Sequence, residues 1–405
     1  MQDYWLTINS ETFLWVKETS GIFYNSKNHK NLVFHLNDRL KHLCDMLCDN
    51  ENLYSIEISA EVYDDNEIKQ WINDLIQIQA GSLSPKSDTP KPISMPPKLK
   101  IQNNIDYYKF EQNNSIGGSI VSNLNELTIH VNGSKQGNQS FFKQTLYPML
   151  SNQEVDLDKV ICFIHGCKNR SLKQINIIGN LFSLKKINHF IQYLVELNLP
   201  VAIYMNAIDF LENRRQLKKL EVNDFFSFKV LFEQSTYDLY SHVNRIEFTT
   251  KLTNIFLVFS EQGYQKIDDL IQSDTSENDY QVLPIFNGEN LNFFKSYVFL
   301  NEKDVKKIKL SKRHIFIRHS LNVFDFGKLT ILPDGKIYSN INEEPLGTLD
   351  DKPYDLVYKE FVAGKSWLNT RKDKPCNDCL YQYLCPSPSA YERAIGQSNL
   401  CTVYR

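Results

Sequence analysis

Between residues 100 and 321, apolar runs alternate with segments of helical period, and this alternation limits the fold more than any other feature. The runs are ELTIHV (126–131), VICFIHG (160–166), QINIIGN (174–180), PVAIYMN (200–206), FSFKVLFE (226–233), NIFLVFS (254–260), YQVLPIFNG (280–288) and HIFIRHS (314–320). Between them, stretches such as LKKINHFIQYLVELNL (184–199) and YQKIDDLIQ (264–272) repeat apolar residues at the spacing of an amphipathic helix. Strands apolar on both faces, separated by helices, form a parallel sheet covered on both sides, so the class is α/β. In such sheets chemistry sits at the C-terminal strand ends. Those ends carry Asn132, His165, Cys167, Asn180, Asn206, Glu233 and Glu261. His165-Gly-Cys167 is the only pair among them with ligand or nucleophile chemistry, and without a third partner it reads as an ordinary loop histidine and thiol.

A chain of 405 residues implies two to three domains. A net charge of −3 with 42% hydrophobic residues argues against disorder, bulk nucleic-acid binding and membrane attachment. MQDYWLTINSETF lacks the basic and apolar regions of a secretory signal, and no apolar stretch approaches a membrane span of ~18 residues. The sequence contains no GxxxxGK[ST], HExxH, GxSxG or strand-linked GxGxxG. The lysines at 303, 306, 307 and 309 read as a solvated helix face. Unclustered cysteines at 44, 48, 162 and 167 fit a reducing interior, so a cytoplasmic location is expected.

The tail holds the other four cysteines, as Cys376-x2-Cys379-x5-Cys385 followed by Cys401. It is polar and carries Pro386, Ser387 and Pro388, so core burial is not expected to hold it together. Clustered thiols in a chain of this kind point to a metal centre rather than disulfides. Four thiolates suit zinc or an iron–sulfur cluster.

Residues 327–405 resemble the SPASM domain that follows the catalytic barrel in many radical SAM peptide-modifying enzymes. The residues that carry the resemblance are LTILPDGKIYSNI, PLGTL at 345–349, and the four-cysteine tail. The context CNDCLYQYLCPSPSAYE is similar to the Bacteroidales GG-peptide (RiPP) maturation systems, and more narrowly to their pseudo-radical-SAM SPASM proteins. A full SPASM domain has seven cysteines and two auxiliary [4Fe-4S] clusters. Here three of the family's cysteine positions fall on Ser339, Lys352 and Ser389, all belonging to the first cluster. Cys376, Cys379, Cys385 and Cys401 match the second cluster's complete ligand set. The resemblance therefore implies one [4Fe-4S] cluster, with zinc as the alternative.

Radical SAM catalysis needs a CxxxCxxC loop, and the sequence has none. Cys44 and Cys48 have the first spacing, but Glu51 stands third and both lie on a helical pattern. After the first barrel strand, 126–131, the loop NGSKQGNQSFFKQ has no cysteine, and the later cofactor-binding segment is reduced to Ile178-Gly179-Asn180. The expectation is a chain that neither binds nor cleaves S-adenosylmethionine, inside a partial (β/α)6 TIM-like barrel over residues 101–325.

Residues 83–100 are proline-rich and read as an extended linker. Before it, residues 1–82 read as strands at 12–18, 21–26 and 30–36, a helix capped by Asn37 or Asp38, and a second helix near 65–79. This order resembles the winged-helix RiPP recognition element, which captures a leader peptide as an added strand. Leu32, Phe34 and Trp71 are its pocket candidates, against the alternative that they close the module's core. With the SPASM region at 326–405, three functions stay open. The first is a non-catalytic maturation component that binds a precursor leader peptide and partners an active radical SAM maturase. The second is an independent peptide-modifying or electron-transfer enzyme, and the third a zinc-stabilised binding protein.

Overall fold

The computed structural model describes residues 2–98, 118–133, 141–167, 171–246, 248–250, 252–274 and 278–403. Two three-stranded sheets form the N-terminal part. One joins β1 (Tyr4–Ile8) to β5 (Ser55–Ile58) on one side and β6 (Gly81–Pro85) on the other, all antiparallel. The second is the antiparallel meander β2 (Thr12–Val16), β3 (Ser20–Asn25) and β4 (Asn31–His35). Asn37 caps the helix Asp38–Cys48, its side chain accepting from the Leu40 amide, and Asp65 caps the helix Asn66–Gln77 in the same way. That second helix turns Ile68, Trp71, Ile72 and Leu75 inward.

The proline-rich segment differs from its reading as a linker beginning at residue 83. Residues 82–85 complete β6 and pair with β1, the Pro85 ring lying at the strand's end, where its missing N–H is tolerated. The chain then runs along the module: Ser94 donates to the Leu53 carbonyl, and Lys98 Nζ to the Cys48 carbonyl. The expected junction between linker and barrel at 100–101 lies outside the described residues.

The meander β2–β3–β4 has two buried faces. Leu14, Val16, Phe23, Leu32 and Phe34 pack on the module's helices, while Phe13, Trp15, Ile22, Tyr24 and Val33 pack on Val305, Leu310, Ile315 and the cysteine tail. Strand alternation sends neighbouring side chains to opposite faces, so one sheet serves two cores.

The large sheet runs β12-β11-β10-β9-β8-β7-β13-β14-β15. Its strands β7 (Glu126–His130), β8 (Gln174–Ile178), β9 (Val201–Asn206), β10 (Phe226–Phe232), β11 (Leu252–Val258) and β12 (Asp279–Pro284) are all parallel and lie in sequence order. β13 (Lys328–Ile331) joins parallel to β7, then turns back antiparallel through β14 (Lys336–Tyr338) and β15 (Gly347–Thr348). Leu127, Ile129, Val131 and their equivalents on the next four strands face the helices.

Two of the apolar runs are helices rather than strands. VICFIHG lies in Leu157–Cys167, where Leu157, Val160, Phe163, Ile164 and Cys167 are buried at helical spacing. HIFIRHS lies in Lys312–Ser320, started by Ser311, whose hydroxyl accepts from the His314 amide. No helix among the described residues is long and apolar enough to cross a membrane.

Candidate functional site

The tail's four cysteines come from three separate pieces of chain. A single 3-10 turn, Cys376–Asp378, presents Cys376, and the Cys379 amide closes it by donating to the Cys376 carbonyl. Cys385 follows the buried Leu384. Cys401 arrives by a parallel bridge to Leu300, with the Leu300 amide donating to the Leu400 carbonyl at 3.0 Å. All four line one cavity of about 20 Å³, room for about one water, together with Leu300, Arg371 and Gln382. Sulfur acceptors are already served: the Tyr381 amide lies 3.4 Å from Cys379 Sγ, and Arg371 Nη1 lies 3.7 Å from Cys376 Sγ. No disulfide is formed.

Burial raises the pKa of Cys376, of Cys379 to about 11 and of Cys385 to about 12, while Arg371 opposes the shift at Cys376 and Cys385. A bound cation reverses this balance, because thiolates are the ligating form. The donor chemistry therefore fits a soft metal centre. Among the described residues, no three His, Cys, Asp or Glu side chains stand as close as a single ion's shell requires. The thiols surround a common space without closing on one point. This tail is less polar in its packing than its composition indicates, since Leu380, Tyr381 and Leu384 are buried against β2 and β3. Lys17 Nζ on that sheet also donates to the Asn377 carbonyl at 2.6 Å.

Of the three positions where the resemblance sets cysteine, Ser339 and Ser389 have side-chain partners. Ser339 Oγ donates to Glu360 Oε2 at 2.6 Å, and Glu360 Oε1 accepts from the Ser366 and Trp367 amides at 2.9 and 2.7 Å. Ser389 forms a capping box with Glu392, which pairs with Arg371 at 2.7 Å. Lys352 is exposed at the start of the helix Pro353–Ala363.

At the C-terminal ends of the parallel strands, the chain's own side chains bond to one another. Asn132 Nδ2 donates to the Asn180 carbonyl and to Ser183 Oγ, both at 2.8 Å, while Asn132 Oδ1 accepts from the Asn180 amide. This closeness needs Gly179, at φ +116°, where a Cβ would lie 2.4 Å from Asn132 Oδ1. Asn206 caps the next helix and donates to Asp209. Beyond β7, Phe141 and Tyr147 turn inward onto Leu231, Ile255, Leu257 and Ile285, and Tyr147 OH donates to Glu233. Gln144 fixes this segment across the strand ends by exchanging two bonds of 2.8 Å with the Phe286 backbone. Residues 134–140 of the loop lie outside the described residues. His130, fully buried beneath, has a pKa lowered to about 4 by burial alone. Glu261 begins the helix after β11.

His165 and Cys167 are not at a strand end. Both are in the last turn of the helix Leu157–Cys167, with His165 exposed and Cys167 buried. Cys44 is likewise buried on its helix and Cys48 exposed. Leu32 and Phe34 are half-buried on the inner face of β4, and Trp71 is buried behind them. Phe34 stacks on Phe23 at 5.4 Å and meets Trp71 edge-on at 5.6 Å. It lies across Gly21, where a Cβ would come within 2.3 Å of the ring. Trp71 is thus a core residue, while its indole N–H has no hydrogen-bond partner among the described residues. Among the described residues, no strand pairs with the outer edge of β4.

No protein-family model matches the chain, and no curated protein does. Solved structures do. The crystal structure of Streptococcus suis SuiB bound to S-adenosylmethionine is 12% identical over 98% of this chain and 99% of that one, with a TM-score of 0.45. SuiB bound to the precursor peptide SuiA is 11% identical over 98% of each, with a TM-score of 0.46.

Proposed function

We propose that the chain is a non-catalytic component of ribosomal peptide (RiPP) maturation, of the pseudo-radical-SAM kind that its tail resembles. In this reading it binds a precursor's leader peptide and works beside an active radical SAM maturase. The leader adds as a strand to the free edge of β4, where main-chain groups supply affinity and the Leu32–Phe34 face selects alternate side chains. The observation that carries the reading is the filling of the strand ends. Asn132 bonds to Asn180, and Tyr147 to Glu233, at the strand ends where chemistry sits in sheets of this class. Cys376, Cys379, Cys385 and Cys401 would hold one [4Fe-4S] cluster, or zinc in its place. Such a centre supplies a cross-link between distant chain segments and, as a cluster, an electron-transfer group.

Hydrogen exchange on the full chain, with and without leader peptides encoded beside it, tests the recognition role. Protection gained at 31–35, and weakened more by proline than by alanine in the peptide's pairing segment, is the expected result. Protection confined to the parallel-strand ends or the tail overturns it.

A further inference from the structure

A cavity of about 460 Å³ lies between β7, β13 and the tail, within the range of small-ligand sites. Six charged side chains line it, and five are accounted for. Glu126 faces Lys328 at 3.5 Å and accepts from Asn176; Glu392 pairs with Arg371 at 2.7 Å; Lys143 is exposed to solvent at the rim. Asp325 remains. Its carboxylate accepts from Asn340 Nδ2, at 3.1 Å to Oδ1 and 3.0 Å to Oδ2, and no cation contacts it among the described residues. Burial raises its pKa to about 6 against the Asn340 hydrogen bond and the more distant charges of Arg393 and Lys328, all of which lower it. Beside it, Phe324 is 44% exposed, and Phe142 and Tyr391 form further aromatic wall.

We propose that this cavity is a subsite for a cationic side chain, with Asp325 as its counter-ion and the aromatic rings packing on the aliphatic stem. A desolvated carboxylate gains from an ammonium or guanidinium partner, and aromatic faces attract the same groups. Assigning the cation to a lysine or arginine of a bound peptide rests on the maturation role proposed above. The subsite itself does not.

Ligand-observed saturation-transfer NMR on the full chain tests it, with Nα-acetyl-lysine amide and Nα-acetyl-arginine amide against the neutral Nα-acetyl-norleucine amide and Nα-acetyl-citrulline amide. Each cationic probe is expected to bind at least fivefold more tightly than its neutral counterpart, and Asp325→Asn is expected to remove that margin. Equal binding of charged and neutral probes to the wild-type chain overturns the proposal, whatever the fate of the variant. So does an undiminished margin in a folded Asp325→Asn chain. If cationic probes bind through Asp325 but no leader protects 31–35, the subsite stands and the maturation role fails. The reverse pair of results removes the subsite alone.

Discussion

Arg371→Met is expected to cost about 3–5 kcal/mol locally, because it breaks a buried ion pair and leaves one partner behind. The side chains of Arg371 and Glu392 are 10% and 6% exposed. Besides the 2.7 Å contact to Glu392, Arg371 Nε donates to the Pro386 carbonyl at 2.5 Å. Two charged hydrogen bonds at about 1.5–3 kcal/mol each give a similar sum. Glu392 cannot simply be solvated, since it also accepts from Ser389, whose amide and hydroxyl both reach it. The readout is amide exchange over 376–395: at ~1.4 kcal/mol per tenfold, protection should fall by roughly two to three and a half orders of magnitude, up to the limit set by the segment's own opening. Arg371→Met/Glu392→Met removes both charges, so it should restore much of the lost protection. A single variant within threefold of wild type, or a double variant worse than the single, refutes the reasoning.

Gly179→Ala should destabilise the chain by about 1–3 kcal/mol in urea unfolding, since its φ of +116° and the 2.4 Å approach to Asn132 leave no place for a methyl. Asp325 has a folded pKa raised to about 6 by burial, so its contribution to stability is full below ~4 and lost as pH rises through ~6. Asp325→Asn should therefore flatten the stability profile between pH 4 and 6 relative to wild type, read by urea unfolding at each pH. Anaerobic reconstitution should give about four irons per chain, read by iron and sulfide analysis, and Cys379→Ala should lose most of them; stoichiometric zinc with less than about one iron rejects the cluster. With S-adenosylmethionine and a strong reductant, the full chain should release no 5′-deoxyadenosine above a protein-free control.

The six parallel strands are legible because each is a run of apolar, mostly branched residues between polar turns. The same signal misleads at VICFIHG, where a short apolar run fits either period and the spacing of Val160, Phe163, Ile164 and Cys167 decides for helix. β6 is hidden for the opposite reason: GSLSP has the composition of a loop, and only β1 beside it makes a strand. β1 and β5 pair across about 50 residues, which no local pattern records. Cysteine spacing identifies the tail's ligand candidates without the fold. Arg371, Glu360 and Asp325 are found only in space, because the groups that give them meaning lie elsewhere in the chain. The docking of Leu380, Tyr381 and Leu384 on β2 and β3 is likewise invisible to composition.

The two-faced meander makes neighbours in sequence strangers in function. Ile22 belongs to the core shared with the cysteine tail, and Phe23, one position on, belongs to the core of the N-terminal helices. A polar replacement at 22 should be felt some 360 residues away, around Cys379, while one at 23 stays within the module. Cutting the chain after residue 98 would not free a finished unit either. It would uncover Phe13, Ile22 and Tyr24, which are 3%, 0% and 0% exposed, as a sticky sheet face. The seam that a reader of the sequence places in the proline-rich stretch is therefore not where the molecule can be taken apart.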